Sequence, residues 1–222
     1  MKIENVKACV FDAYGTLFDV NSAAAKCKKK LGSKWEGFAN AWRTTQLEYT
    51  WLRSLMKKHK NFWEITEDSL DHTMETFKIK KEMRNELLDL YKKLSPYPEV
   101  VECLKGLKDK KIKIAILSNG TPDLLRELVE SNNIQNYFDD ILSIESVGVY
   151  KPDSRVYEMP IKKYNCAPEN ICFMSSNTWD ISGGGVFGYN AVWVNRSNKV
   201  FDKLSYKPKF VINDLKELLK II

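Results

Sequence analysis

The stretch ACVFDAYGT, residues 8–16, joins a short apolar run to a single acid, Asp12. An apolar run of this length, followed at once by a turn residue such as Gly15, is typical of a buried strand. A carboxylate at the end of a buried strand can serve as a nucleophile, a base or a metal ligand, and it can equally cap a turn. Tyr14 occupies the position two residues after Asp12, where a second carboxylate would share a proton or a metal.

Similar apolar runs recur along the chain and predict a sheet. The first run spans 6–11, strong runs follow at 113–118 and 171–176, and weaker ones lie near 140–144 and 191–194. Helical patterns separate these runs, which is typical of βαβ units. The sequence therefore predicts an α/β fold, with a doubly wound, Rossmann-like parallel sheet. Ligands bind beyond the carboxyl ends of the strands in such sheets, so we expect one shared site there.

Polar groups stand at or near the ends of these runs. Ser118 and Asn119 close one strand, SSNTWD (175–180) closes another, and Lys151 lies in a loop before a predicted helix. Each has an ordinary alternative, because hydroxyls, amides and acids often cap helices and lysines are common on this chain. Together with Asp12 they predict one site at one edge of the sheet.

A helical block without strand signals separates the first two strands. It predicts a helical cap domain at 21–96, inserted into a core domain formed by 1–20 and 97–222. Within the block, AWRTTQLEYTWLRSLM (41–56) has the pattern of an amphipathic helix rich in aromatic residues. Arg43 interrupts its aromatic surface, and this side chain either reaches an anion or lies in solvent.

Two local features conflict with regular helix. Pro160 falls inside the helical pattern 153–165, where we expect a kink or a break, because proline costs about 3 kcal/mol or more in a helix interior. Gly183–Gly185 follow Asp180 and indicate either a close backbone approach or a weak helix start.

Composition restricts the class of protein. The 222 residues include 35 Lys and Arg against 29 Asp and Glu, a formal charge of +6 that is spread along the chain without a nucleic-acid motif. We therefore expect solvated helix faces, no nucleic-acid partner and a mild preference for small anions. Five cysteines without C-x-x-C spacing, no apolar stretch near 20 residues and no signal-peptide pattern predict a cytoplasmic protein without membrane contact.

The order of the motifs resembles the haloacid dehalogenase superfamily. The matching elements are D-x-x-x-T at Asp12–Thr16, Ser118-Asn119, Lys151 and the acidic segment at Asp180. FDAYGTLFD, WRTTQLEYTWLRSLM, LSNGTPD, ESVGVYKPDSRVYE and SSNTWD are similar to the L-2-haloacid dehalogenases in particular, and this similarity covers nearly the whole chain.

The resemblance implies a mechanism and a set of residues. Asp12 would attack C2 of a short L-2-haloalkanoate, and water would then hydrolyse the resulting ester to a D-2-hydroxy acid, with no metal or other cofactor. The implied catalytic residues are Asp12, Thr16, Arg43, Ser118, Lys151, Tyr157, Ser175, Asn177 and Asp180. The implied substrate contacts are Tyr14, Arg43, Leu47, Phe62, Ser118, Asn119 and Trp179. The resemblance also implies a homodimer formed through the aromatic cap helix.

Tyr14 separates this chain from the phosphatases of the superfamily. Those enzymes carry D-x-D, whose second acid protonates the leaving alkoxide, and a more acidic fourth motif that helps to hold magnesium. A halide leaves as a stable anion and needs neither. A magnesium-dependent phosphatase of the same fold and an inactive binding module remain as alternatives, whereas a receiver-type phosphoacceptor leaves the cap unexplained. Thr44 follows Arg43 where close relatives are expected to carry a longer polar residue, so pocket size or halide preference can differ.

Overall fold

The computed structural model describes residues 2–222. Its strands are β1 (Ala8–Phe11), β2 (Lys113–Ser118), β3 (Asp140–Ser143), β4 (Ile171–Ser175), β5 (Asn190–Val194) and β6 (Phe210–Ile212). Within that described part of the chain they form one parallel, six-stranded sheet in the order β3-β2-β1-β4-β5-β6. The predicted α/β fold class is confirmed, and β6 is an edge strand that the sequence pattern did not predict.

The central position of β1 determines where Asp12 lies. Ala8 is opposite Lys113 of β2 on one side and Ile171 of β4 on the other, and all four β1 residues are fully buried. The chain runs outward from β1 in both directions, first to β2 and later to β4. Asp12 therefore leaves the sheet at the point where the strand order reverses, which is the usual binding crevice of this architecture.

Helices surround the sheet. Five lie within residues 21–96: α1 (Ser22–Lys26), α2 (Lys28–Leu31), α3 (Trp35–Leu55), α4 (Phe62–Phe77) and α5 (Arg84–Tyr91). The others are α6 (Val100–Asp109), α7 (Pro122–Ser131), α8 (Ser154–Tyr164), α9 (Thr178–Phe187) and α10 (Leu218–Ile221). Over residues 2–222, no helix is both long enough and apolar enough to cross a bilayer.

The first five helices belong to what we call the helical segment, residues 21–96. Its two connections to the sheet run side by side: Asp19 N–H donates to Ser95 O at 2.9 Å, and Tyr97 N–H donates to Leu17 O at 3.0 Å. Helix α4 begins at a complete capping box in which Asn61 and Glu64 bond each other's backbone N–H groups. The segment thus leaves the sheet and returns to it through one narrow stem.

Of the kink or break expected at Pro160, the break is wrong, because α8 continues from Ser154 to Tyr164 with this proline inside it. Pro160 is buried with Val156 and Tyr157 on the face that packs against the core. This packing compensates for the backbone hydrogen bond that proline cannot donate.

The glycine run lies inside α9 and does not start it. A Cβ on Gly183 would stand 2.5 Å from the Tyr157 hydroxyl, and one on Gly184 would stand 2.8 Å from the Phe173 ring. A Cβ on Gly185 would collide with the ring of Tyr206. Of the two interpretations offered by the sequence, the close backbone approach is therefore the correct one.

Candidate active site

The turn after β1 fixes the carboxylate of Asp12, which is 5% exposed. Gly15 adopts a φ of 88°, a conformation in which a side chain would be strained, and this tight turn folds the chain back over Asp12. The Thr16 hydroxyl donates to Asp12 Oδ2 at 3.0 Å and accepts a 2.8 Å hydrogen bond from the Ser176 N–H. One hydroxyl therefore connects the carboxylate to the loop after β4.

Lys151 lies between two carboxylates. Its fully buried ammonium group donates to Asp12 Oδ1 at 3.1 Å and to Asp180 Oδ2 at 3.0 Å. Burial by itself lowers the pKa of Lys151, but the charges of Asp12 and Asp180 outweigh it and raise the pKa. Lys151 therefore stays charged in the core and neutralises part of the acid charge beside it.

Asp180, in the first turn of α9, is the second buried acid. Burial and the negative charge of Asp12 raise its pKa against the opposing effect of Lys151, to about 6. The Tyr157 hydroxyl donates to Asp180 Oδ1 at 2.8 Å. Burial and the same carboxylate raise the pKa of Tyr157 well above its usual value, so this phenol is a donor at neutral pH. Asp180 is thus a carboxylate of enhanced basicity held by two donors.

Asn177 bears on whether a cation fits this site. Its side-chain N–H₂ donates to Asp12 Oδ2 at 2.9 Å and to the Tyr14 carbonyl at 3.2 Å. The Asp12 carboxylate and the Tyr14 carbonyl, which a divalent cation would need as ligands, are thus bonded to the Asn177 amide. The ammonium group of Lys151 lies between Asp12 and Asp180. Magnesium requires a nearly complete shell of oxygen ligands. The donor set around Asp12 does not fit such an ion.

Arg43 approaches the same region from α3. Its Nη2 lies 3.5 Å from the Tyr14 carbonyl, and its Nη1 donates to Gln46 Oε1 at 2.8 Å. Gln46 is buried and donates in turn to Thr66 Oγ1 at 2.7 Å and to the Tyr91 hydroxyl at 3.0 Å. This network fixes the guanidinium group. Gln46 and Tyr91 were not predicted, although a glutamine three residues after Arg43 on one helix was a usable signal.

An aromatic wall covers the other side of Asp12. The Tyr14 ring lies 5.1 Å from that of Phe62 and 5.7 Å from that of Tyr91, measured between centroids. The Tyr14 hydroxyl is buried and finds no hydrogen-bond partner within residues 2–222. Burial raises the pKa of Tyr14 well above its usual value. A Cβ on Gly120 would come within 3.0 Å of this hydroxyl, so the glycine after Asn119 makes room for it.

The remaining predicted polar residues organise the loops around the acid. Ser118 Oγ accepts from the Gly120 N–H at 3.1 Å, and Ser175 Oγ accepts from the Asn177 N–H at 3.1 Å. Asn119 Oδ1 accepts a 3.2 Å hydrogen bond from the backbone N–H of Lys151. These contacts bring the ends of β2 and β4 and the loop before α8 to the same side of the sheet as Asp12.

A cleft of about 480 Å³ lies between the helical segment and the sheet. Arg43, Thr44 and Leu47 line it from α3, and Asn177 lines it from the opposite side. Trp179 does not line this cleft: it packs edge-to-face on Trp51 and lines a second depression together with Lys151. The structure thus gathers the predicted set around Asp12, with Trp179 at its margin.

The model of the haloacid dehalogenase-like hydrolases matches residues 6–188. The chain belongs to this family. It is also 40% identical over 223 residues, 99% of its own length and 98% of the relative's, to (S)-2-haloacid dehalogenase 1 of Pseudomonas sp. (strain CBS-3). The (S)-2-haloacid dehalogenase of Pseudomonas fluorescens is 40% identical over 218 residues, which cover 97% of this chain and 96% of that one. The resemblance and the prediction of a hydrolase are confirmed.

Solved structures agree with this assignment to the haloacid dehalogenase-like hydrolases. The L-2-haloacid dehalogenase from Xanthobacter autotrophicus with chloropropionic acid covalently bound superposes with a TM-score of 0.90 at 31% identity and covers 97% of both chains. The overall path of the chain, including the helical segment, is therefore shared along nearly its whole length.

Proposed function

We propose that this protein is a hydrolytic dehalogenase that converts short L-2-haloalkanoic acids to D-2-hydroxy acids through an ester on Asp12, without a metal. The observation that carries the proposal is the environment of Asp12, which meets N–H and O–H donors from Lys151, Thr16 and Asn177. A carboxylate held in this way is a nucleophile of fixed orientation. Relatives named (S)-2-haloacid dehalogenases and a solved relative with chloropropionic acid covalently bound support the same chemistry.

In the first step a carboxylate oxygen of Asp12 attacks C2 of the haloacid. The new C–O bond forms as the carbon–halogen bond breaks, C2 inverts, and the halide leaves with the bonding electrons. Arg43 lines the cleft from the helical segment, and Asn119 follows the end of β2, so both are assigned to binding the anions. The leaving group needs no proton, which agrees with Tyr14 in place of a second acid.

In the second step water attacks the carbonyl carbon of the Asp12 ester. Asp180, with its raised pKa, takes one proton from the water while Tyr157 and Lys151 hold its two oxygens. The acyl C–O bond then breaks, and the proton passes to the oxygen of the departing 2-hydroxy acid. A second proton goes to solvent as Asp12 becomes a carboxylate again. Ser175 and Asn177, joined by the hydrogen bond between them, are assigned to orienting the water.

The helical segment has a role as a cap in this proposal. It contributes Arg43, Leu47 and Phe62, and Asp12 is almost completely buried beneath it. Removal of water from a carboxylate replaces mobile hydration with fixed donors. We assign 21–96 to the cap and 1–20 with 97–222 to the core on this basis.

The test is to supply L- and D-2-chloropropionate with and without a chelator, and to measure chloride and the configuration of the lactate. We expect chloride from the L-substrate, D-lactate as product and no effect of the chelator. Asp12→Asn is the inactive reference. Failure to release chloride from short 2-haloacids, combined with chelator-sensitive release of phosphate from phosphate esters, would instead identify a phosphatase.

A single turnover in ¹⁸O-water tests the ester. Hydrolysis at the carbonyl carbon deposits the label in the carboxylate of Asp12, where mass spectrometry of the peptide detects it. Label found exclusively in the lactate would mean that water attacks C2 directly and that Asp12 acts as a base.

We also propose a homodimer through the end of α3. Leu52, Leu55 and Met56 are 50%, 79% and 58% exposed there, which is unusual for large apolar side chains grouped on one surface. Light scattering should give twice the chain mass, and Leu55→Lys with Met56→Lys should give the monomer. A monomeric mass for the unaltered protein would contradict this assembly.

A further inference from the structure

Arg196 follows β5 and lies outside every motif that pointed to the site. Its side chain is 17% exposed, and the guanidinium group faces the turn after β1. Nη2 donates to the Thr16 carbonyl at 2.8 Å, and Nη1 is 3.4 Å from the Gly15 carbonyl. The backbone of the turn that presents Thr16 to Asp12 is thus held by a side chain about 180 residues away in sequence.

The same guanidinium group also holds the loop after β4. Nη1 donates to Ser176 Oγ at 3.0 Å, and the backbone N–H of Ser176 donates to Thr16 Oγ1 at 2.8 Å. The Thr16 hydroxyl is therefore located between two backbone segments, and Arg196 contacts both. A shift of either segment moves the hydrogen bond from Thr16 to Asp12 Oδ2.

Two groups at the return from the helical segment fix the guanidinium group itself. Nε donates to the buried Glu99 at 2.7 Å, and the guanidinium carbon stacks 3.8 Å from the centre of the Tyr97 ring. Tyr97 is one of the residues that close the stem, through its N–H bond to Leu17. Arg196 therefore joins the stem to both loops beside Asp12.

Arg196 makes more contacts than an ion pair with Glu99 would need. A buried pair of charges is often no better for stability than well-packed apolar residues. Here the planar group directs donors to four different oxygens, which lysine cannot do, and three of them belong to the two loops that hold Thr16.

We propose that Arg196 is a positioning residue for the nucleophile: it holds Thr16 and Ser176 in the relative position that orients Asp12 for attack. The expected effect on kcat rests on the proposed dehalogenase function. The expected effect on the two loops rests on the contacts of Arg196 alone. Arg196 makes no hydrogen bond to Asp12 within residues 2–222, although it lines the same cleft as Arg43. We assign its effect to the Thr16 hydroxyl, and an unchanged KM together with a double-mutant cycle distinguishes this route from a direct contact with substrate.

The kinetic test uses Arg196→Gln and Arg196→Lys, with the exposed Arg126→Ala in α7 as the matched control. We expect kcat on L-2-chloropropionate to fall by about 10- to 100-fold in Arg196→Gln, because small misplacements of a nucleophile are costly. Arg196→Lys should be intermediate, KM should change by less than about threefold, and Arg126→Ala should match the unaltered protein. An unchanged kcat in Arg196→Gln would overturn the inference.

A double-mutant cycle with Thr16→Val tests the route of the effect. If Arg196 acts through Thr16, then adding Arg196→Gln to Thr16→Val should lower kcat by less than about threefold. Full additivity of the two losses would mean that Arg196 acts elsewhere, and would overturn the assignment.

Hydrogen exchange separates this inference from the proposed function. We expect Arg196→Gln, but not Arg126→Ala, to accelerate backbone exchange in 12–18 and 175–178 together, without any substrate. Unchanged exchange in both segments would overturn the inference even if the protein dehalogenates. If the protein releases no halide but the two segments loosen together, the proposed function fails and the positioning role of Arg196 remains.

Discussion

The Tyr157 hydroxyl donates a 2.8 Å hydrogen bond to Asp180 Oδ1, on the opposite side of the carboxylate from the ammonium group of Lys151. Both oxygens of this buried acid are therefore held, and its orientation is fixed before a water arrives. These two hydrogen bonds lower the pKa of Asp180, whereas burial raises it. The balance of these effects sets how strong a base the protein has for the second step.

The pH profile should report this balance. Asp180 accepts a proton only when ionised, so activity is lost as pH falls through its pKa, which is about 6 in the free protein. Once Asp12 is an ester, its negative charge no longer raises the pKa of Asp180, and the acid limb of kcat should lie below pH 6. Tyr157→Phe removes a hydrogen bond that lowers the pKa of Asp180, so the limb should move to higher pH. Rate measurements from about pH 5 to pH 9 check this. A limb that stays in place or moves down would contradict the assigned base.

Removal of Lys151 should cost stability as well as activity. Lys151→Met leaves Asp12 and Asp180 buried without a counter-charge, and breaking such a pair typically costs about 3–5 kcal/mol. Without Lys151 the pKa of Asp180 rises further, so the folded state binds a proton that the unfolded chain does not. The deficit should therefore be largest at neutral pH and shrink as pH falls through that raised pKa.

Urea unfolding at several pH values measures the deficit, and adding Asp180→Asn to Lys151→Met should recover part of it. A deficit independent of pH would show that lost packing, and not the uncompensated acids, causes the instability.

Gln46→Leu should release Arg43. The substitution keeps a similar volume but leaves the Arg43 Nη1, Thr66 and Tyr91 without their buried partner. We expect a loss of about 1–3 kcal/mol in unfolding free energy and a higher KM for the haloacid, because the guanidinium group is no longer fixed. Glu48→Gln, an exposed change on the same helix, is the control. If Gln46→Leu neither raises KM nor lowers the free energy of unfolding, the network does not orient Arg43.

Gly183→Ala should displace Tyr157 and so disturb Asp180, the assigned base. The new Cβ would stand 2.5 Å from the Tyr157 hydroxyl and 2.8 Å from Pro152 Cβ, so the helix or the tyrosine must move. Overpacking of this kind costs about 1–3 kcal/mol, and we expect kcat to fall with it. Gly37→Ala on α3 is the matched control, because its Cβ would meet the Phe77 ring at an ordinary 3.4 Å. The temperature of thermal unfolding and the turnover rate should both be lower in Gly183→Ala than in Gly37→Ala. Equal behaviour of the two would contradict the argument from close approach.

The local sequence pattern was sufficient to predict five of the six strands and the polar residues at their ends. The apolar run before Asp12 and the polar ends of 113–118 and 171–176 identified strands, and parallel strands bring their ends together by geometry. Strand β6 escaped because Phe210–Ile212 has three residues between polar neighbours and too little length for a pattern. Pro160 misled the prediction because packing of a helix face outweighs one missing hydrogen bond.

Partnerships between distant residues were beyond the sequence pattern. Gln46 and Arg196 each look like ordinary polar residues until Thr66, Tyr91, Glu99 and Thr16 are known to surround them. Trp179 lies in the motif SSNTWD, yet its ring turns toward Trp51 on α3. Side-chain direction in such cases depends on the contacts between elements, which spacing along the chain does not encode.

The central place of β1 also determines the order in which the molecule can be assembled. Phe11 leaves the ribosome before its partners on β2 and β4, Ile116 and Met174, which follow only after more than a hundred further residues. Helices α3 and α4, which are neighbours in sequence, can pack much sooner, since local contacts form faster than distant ones. The apolar strand that carries the nucleophile therefore remains uncovered until first β2 and then β4 have emerged. A chain that stops short of β4 carries Asp12 but has no second wall to enclose it.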